Sequence, residues 1–123
     1  MTGTRSPRRT QTATLQPRIK VWLESDGGSG FCNGMCLILK AVERTSSIKQ
    51  AAAELGKSYR YVWGRIKDAE RVVGKQLVET QIGGKASQRS RLTPFAKQLA
   101  ADLLALRDEM KTFLEREFAR RFC

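Results

Sequence analysis

The sequence predicts a mainly α chain with a small β component, in which two short helices joined by a tight turn are followed by a hairpin and one long helix. Three observations carry that expectation. Ser47 and Ser58 each stand in front of a helix-forming run, and Gly56 separates the runs. Gly83-Gly84 separates two stretches of strand-forming residues. From Phe95 to Arg121 the chain contains neither Gly nor Pro.

At the N-terminus, residues 1–17 are rich in Thr, Arg and Pro and carry no acidic residue. They cannot bury enough apolar surface to offset their ordering entropy, so a flexible basic arm is expected. Arg5, Arg8 and Arg9 suit a minor groove; a solubilising tail is the plainer alternative. Arg18 to Glu24 alternates, with Ile19, Val21 and Leu23 on one face and Lys20, Trp22 and Glu24 on the other, the period of a half-buried strand. Asp26-Gly27-Gly28 ends it. Met35, Leu37, Ile38, Leu39, Ala41 and Val42 then predict a helix over about 33–44.

Ser47-Ile48-Lys49-Gln50 reads as a capping box opening a short helix, Ile48 to Leu55, whose Ala51-Ala52-Ala53 lets another helix approach closely. Gly56 tolerates the positive φ of a helix stop, and Ser58 can cap the next helix. Two helices across so short a glycine-containing turn form a helix-turn-helix. The second helix extends to about Val73, with Gly74 beyond it. Val62, Ile66, Ala69 and Val73 recur at four, three and four residues and predict its buried stripe. Arg60, Trp63, Gly64, Lys67 and Arg71 form a basic face opposite. A glycine inside a helix costs about 1 kcal/mol relative to alanine, so Gly64 implies that another surface comes close there, either DNA or a packed neighbouring helix.

Gln76 to Gln81 and Arg89 to Leu92 pair as a hairpin with a basic tip, Lys85, Arg89 and Arg91. After a helix-turn-helix such a hairpin is a wing; a merely solvated hairpin is the alternative. Thr93-Pro94 starts the last helix with cap and proline in the preferred order. Leu99, Leu103, Leu106, Met110 and Phe113 make a heptad seam that extends back to Ala96. A helix so long cannot bury its stripe on so small a domain, which favours dimerisation through it over folding back on the first helix and strand. The expected fold is therefore a winged helix-turn-helix with a long C-terminal dimerisation helix, divided as 1–17, 18–93 and 94–123.

Composition narrows the chemistry. The 123 residues hold 23 Lys+Arg against 12 Asp+Glu and no His, a net charge of +11. Without His there is no Ser-His-Asp or Cys-His arrangement and no His-bearing zinc pattern. No carboxylates, nucleophile or metal ligands stand at a spacing that chemistry requires, so an enzyme is not expected, nor a cofactor. An apolar share of 41% supports one modest core, while 7% aromatic residues argues against a single-strand binder built on base stacking. No stretch approaches the roughly 20 apolar residues of a membrane span, and no signal peptide is evident, so a soluble cytoplasmic protein is expected. Cys32, Cys36 and Cys123 are odd in number and lack a C-x-x-C pair, which fits a reducing compartment. Cys32 and Cys36 make a weak metal signal; buried apolar roles or thiol redox chemistry are the other readings. The positive charge points to a polyanion, of which nucleic acid is the common one. An anionic membrane surface or an acidic protein remains open.

Met35 to Thr93 resembles the winged helix-turn-helix of LysR-type regulators, and more closely the N-terminal domain of the ModE family of molybdate-responsive regulators. The residues that carry the likeness are Ser47-Ile48-x-x-Ala51-Ala52, Ser58-Tyr59-x-x-Val62-Trp63-x-x-Ile66, Leu77-Val78-Glu79-Thr80, Gly83-Gly84-Lys85 and Leu92-Thr93. Val21-Trp22-Leu23-Glu24 also fits. The resemblance implies a homodimeric regulator of transcription on double-stranded DNA, with the helix from Ser58 in the major groove and the wing on backbone or minor groove. It places Ser58, Tyr59, Arg60, Trp63 and Lys67 on recognition positions and Lys85 on the wing. Lys57 departs from the family's apolar turn residue, and Ala86-Ser87-Gln88-Arg89 departs from its glycine-rich wing tip. Members of that family bind molybdate in a separate C-terminal domain; with the sequence ending at Cys123, molybdate binding is not expected. An architectural DNA binder of little sequence preference and a protein-interaction module are the other functions this fold accommodates.

Overall fold

The computed structural model describes residues 14–26, 28–82 and 88–123. In chain order the elements are β1 (Trp22–Ser25), β2 (Gly28–Cys32), α1 (Asn33–Thr45), α2 (Ile48–Leu55), α3 (Tyr59–Val73), β3 (Val78–Ile82), β4 (Gln88–Leu92) and α4 (Pro94–Phe122). They fall into two units, Lys20–Asp108 and the terminal segments before and after it. Arg5, Arg8 and Arg9 of the expected arm, and Lys85 of the wing, lie outside the described residues.

Local caps set the helix-turn-helix. Ser47 Oγ accepts from the Gln50 amide at 3.0 Å and opens α2. The reciprocal half of the capping box is replaced, because the Ser47 amide donates to Thr45 Oγ1 at 3.3 Å. Gly56 stops α2 at φ +68, a conformation that glycine adopts without a Cβ penalty. Ser58 Oγ takes the Tyr61 amide at 3.0 Å and opens α3. Thr93 Oγ1 does the same for α4 through the Ala96 amide at 3.1 Å while donating to Gln76 O at 2.9 Å.

The core of Lys20–Asp108 gathers Phe31, Met35 and Leu39 with Val62, Ile66 and Leu77. Ala51 and Ala52 are buried and Ala53 is exposed, so the alanine run uses two of its three positions for close packing. In α3 the buried residues are Val62, Ile66, Ala69 and Val72; Val73, expected on the stripe, is only partly buried. The helix turns Val72 toward β2, where its Cγ2 lies 3.8 Å from the position a Cβ would take on Gly30.

The N-terminal β region differs from expectation. The strand is shorter and later than Arg18–Glu24, and it pairs antiparallel with a second strand that alternation did not reveal. Leu23 faces Phe31 and Glu24 faces Ser29, which leaves Gly30 as the extra residue of a bulge. Gly28 and Gly30 sit at φ +118 and +146, open only to glycine. Val21 and Leu23 pack on the core as expected, whereas Ile19 is exposed. The wing hairpin follows expectation, with Val78 opposite Leu92 and Ile82 opposite Gln88. It is tied to the end of α1 by the Ser90 amide on Ser46 O at 2.9 Å.

Helix α4 also corrects the sequence reading. Ala96, Ala100 and Leu103 are buried in the core of their own chain, with Leu103 2% exposed, so Leu103 is not free to serve a dimer seam. Leu99 packs partly against the same core. Leu106, Met110 and Phe113 are exposed. In the terminal unit Phe118 stacks on Phe122 at 4.9 Å, and Glu117 pairs with Arg120 and Arg121 at 2.5 and 3.3 Å. The Arg120 hydrogen bond, with Arg121 behind it, holds the Glu117 carboxyl below the usual carboxylate range.

Candidate nucleic-acid interface

Burial of Val62, Ile66 and Ala69 fixes which side of α3 faces out. At 3.6 residues per turn, the positions opposite are Arg60, Gly64, Lys67 and Arg71, spaced four, three and four. Arg60 is exposed and makes no ion pair among the described residues. Lys67 pairs with Glu70 at 3.3 Å and lies 5.5 Å from the Trp63 ring; Arg71 pairs with Asp68 at 3.0 Å. A Cβ added to Gly64 would meet no atom within 4 Å. Among the described residues no packed neighbouring helix accounts for this glycine.

Both flanks of α3 are occupied, by different hairpins. On the wing side, Glu70 Oε2 accepts from the Leu77 and Val78 amides at 2.8 and 3.2 Å, clamping the start of β3 to the helix. Trp63 stands on the same flank and is 44% exposed. On the opposite flank Ser25 Oγ donates to Val72 O, and Arg65 Nη2 lies 3.9 Å from Cys32 Sγ. Tyr59 is exposed at the start of the helix, next to the capping Ser58.

Arg89 and Arg91 point outward from β4 while Ser90 and Leu92 point in. Arg91 pairs with Glu79 at 3.4 Å; Arg89 makes no ion pair among the described residues. Both line a shallow cavity of about 200 Å³ with Ser46, Gln81 and Ser90. The arrangement thus brings Ser58, Tyr59, Arg60, Trp63, Gly64 and Lys67 together on one helix, with Arg89 and Arg91 on the adjoining hairpin. Sequence reasoning noted Lys57 only as a charged departure in the turn and passed over Tyr61 and Arg65; the four-residue spacing of the three is the signal that would have linked them.

Two thiols differ in chemistry. Burial alone would raise the Cys32 thiol, but the Met35 and Gly34 amides at the open start of α1 and the Arg65 guanidinium outweigh it and hold the group below its ordinary value. Burial, with the nearby Cys32, pushes Cys36 up to about 11. Among the described residues no group of three His, Cys, Asp or Glu side chains is placed to hold a metal ion, and no helix is long and apolar enough to cross a membrane.

Residues 36–97 match the family model described as bacterial regulatory helix-turn-helix protein, lysR family. The molybdenum transport protein ModE of Herbaspirillum seropedicae is 38% identical over 80 residues, 65% of this chain and 30% of that protein. The transcriptional regulator ModE of Yersinia pestis is 37% identical over 70 residues, 55% of this chain and 27% of its own length. The curated relatives are thus matched over only 24% to 35% of their length. Among solved structures, the full-length LTTR LysG from Corynebacterium glutamicum with bound effector Arg superposes with a TM-score of 0.52 at 24% identity, over 72% of this chain and 29% of that one. That likeness speaks to the fold alone.

Proposed function

The chain belongs to the lysR family of bacterial regulatory helix-turn-helix proteins, and from that premise we propose that it binds double-stranded DNA as a homodimer and regulates transcription. The observation that carries this reading is the outward line of α3, in which cations flank a glycine that no neighbour among the described residues requires. A bare backbone at that point lets the helix sit deep in a major groove, with Arg60 on one side of Gly64 and Lys67 on the other. Arg60, free of any carboxylate, is the candidate for a bidentate guanine contact. Tyr59 and Trp63 suit thymine methyls or sugar, and Ser58 a phosphate. The wing, through Lys85, Arg89 and Arg91, takes the backbone or minor groove.

Leu106, Met110 and Phe113 are exposed apolar positions at heptad spacing, and pairing two copies along them is the economical way to cover them. The Herbaspirillum seropedicae relative is a molybdenum transport protein by name, but the match covers 30% of its length. The proposal is therefore confined to DNA.

Selection of duplexes from a random pool tests the reading. A two-fold motif with half-sites about 34 Å apart is the expected outcome; recovery of nothing above background, with tight binding to all duplexes, would instead make the chain an architectural binder. Arg60→Ala should lose on the order of 1–3 kcal/mol on the selected site and relax one base position. Equal weakening on every sequence would make Arg60 a phosphate contact.

A further inference from the structure

A helix lying in a major groove has a phosphate strand along each flank. The wing accounts for one flank of α3. On the other, Lys57 Nζ lies 5.3 Å and Arg65 Cζ 5.8 Å from the centroid of the exposed Tyr61 ring, and Arg65 Nη1 donates to Tyr61 Oη at 2.9 Å. Neither cation has a carboxylate partner among the described residues, in contrast to Lys67, Arg71 and Arg91. Because Tyr61 Oη accepts from Arg65, its own proton is left to donate, and no described residue accepts it. Two unneutralised cations and a hydroxyl donor, held around one rigid ring, lack a compact anion that accepts several hydrogen bonds.

We propose that Lys57, Tyr61 and Arg65 form a seat for a DNA backbone phosphate on the strand across the groove from the wing. The inference rests on the reading of α3 as the groove helix. It explains Lys57, whose charge in the turn departs from the apolar residue expected there. It also gives the β1–β2 hairpin a role, since Cys32 at the end of β2 lies against the second Arg65 nitrogen and limits the guanidinium's swing. The seat orients the helix without reading sequence, which leaves discrimination to the Arg60–Gly64–Lys67 line.

The test measures binding of the full chain to its selected duplex and to a random duplex of equal length over a range of salt concentrations. Lys57→Ala and Arg65→Gln should each lower the slope of log K against log salt by about one unit, with the same fold-loss on both duplexes. Arg65→Lys should restore the slope. Tyr61→Phe, which keeps the ring and removes the donor, should weaken both duplexes equally with the slope unchanged. Single methylphosphonate substitutions, which neutralise one phosphate at a time, should locate one position to which Arg65→Gln is indifferent, on the strand opposite the position found with Arg89→Ala. An unchanged slope for both Lys57→Ala and Arg65→Gln, a changed ratio between duplexes, or both positions falling on one strand would overturn the seat. A wild-type chain that binds no duplex would overturn the DNA reading beneath it, a result distinguishable from the others because it precedes any variant.

Discussion

The two hairpins grip the same helix from opposite sides by different means. The wing hairpin buries Val78 and Leu92 and is clamped in addition by polar groups: one Glu70 carboxylate takes the amides of Leu77 and Val78, and Ser46 O takes a β4 amide. The N-terminal hairpin also has one polar tie, Ser25 Oγ to Val72 O, but it is seated by a fully buried phenyl ring, Phe31, and by a glycine bulge that brings β2 against Val72. A strand can be positioned by side chains that alternate or by a backbone that departs from the usual dihedrals. The first device is visible along a sequence and the second is not.

Phe31→Ala removes the anchor of β2 and should cost about 3–5 kcal/mol, read as a lower midpoint in urea with the wing amides as protected as the remaining stability allows. Gly30→Ala keeps the anchor but forces a Cβ into a φ of +146; a loss of about 1–3 kcal/mol is expected. On the other hairpin, Glu70→Ala leaves the Leu77 and Val78 amides without their acceptor and should cost on the order of 1–2 kcal/mol, with faster hydrogen exchange confined to those amides. Equal spreading of exchange to β2 would show that the hairpins are one cooperative unit rather than two grips.

The helix between them gives a change of opposite sign. Gly64→Ala should stabilise the fold by up to about 1 kcal/mol, because the added methyl meets nothing, and should weaken duplex binding. Stabilisation with unchanged binding would remove Gly64 from the interface. The smallest effect is chemical. Cys32, held below its ordinary value of 9.0, should alkylate with a pH midpoint under 9.0, while the buried Cys36, at about 11, stays a protonated and unreactive thiol through that range. Because folding raises the Cys36 value, its contribution to stability is complete below pH 9.0 and is lost as the pH rises through about 11. Arg65→Gln should shift the Cys32 midpoint upward, which mass spectrometry of the alkylated chain will register.

Helix starts and stops are legible in the sequence because each is a local event. Ser47, Ser58 and Thr93 cap amides three residues ahead, and Gly56 and Gly74 reverse φ. The wing is legible through its turn signal and its alternating Arg89, Ser90, Arg91 and Leu92. The β2 strand is not, since Gly-Ser-Gly-Phe-Cys has no alternation and forms only because Phe31 finds a core made by α1 and α3. The line Arg60–Gly64–Lys67 comes from helical period alone; Lys57, Tyr61 and Arg65 share a four-residue spacing too, but that spacing does not say that both cations close on the tyrosine ring, which only the structure shows.

The amino-acid sequence by itself determined where each helix begins and ends, the order helix, turn, helix, wing, long helix, and which face of the second helix is basic, since these depend on capping, period and charge within a few residues. Only the tertiary structure decided that Val72 rather than Val73 turns fully inward, that Leu103 belongs to the core while Leu106 stays exposed, and that no described residue covers Gly64. Those outcomes depend on which surfaces meet across tens of residues, where burial of one apolar stripe removes its residues from every other use.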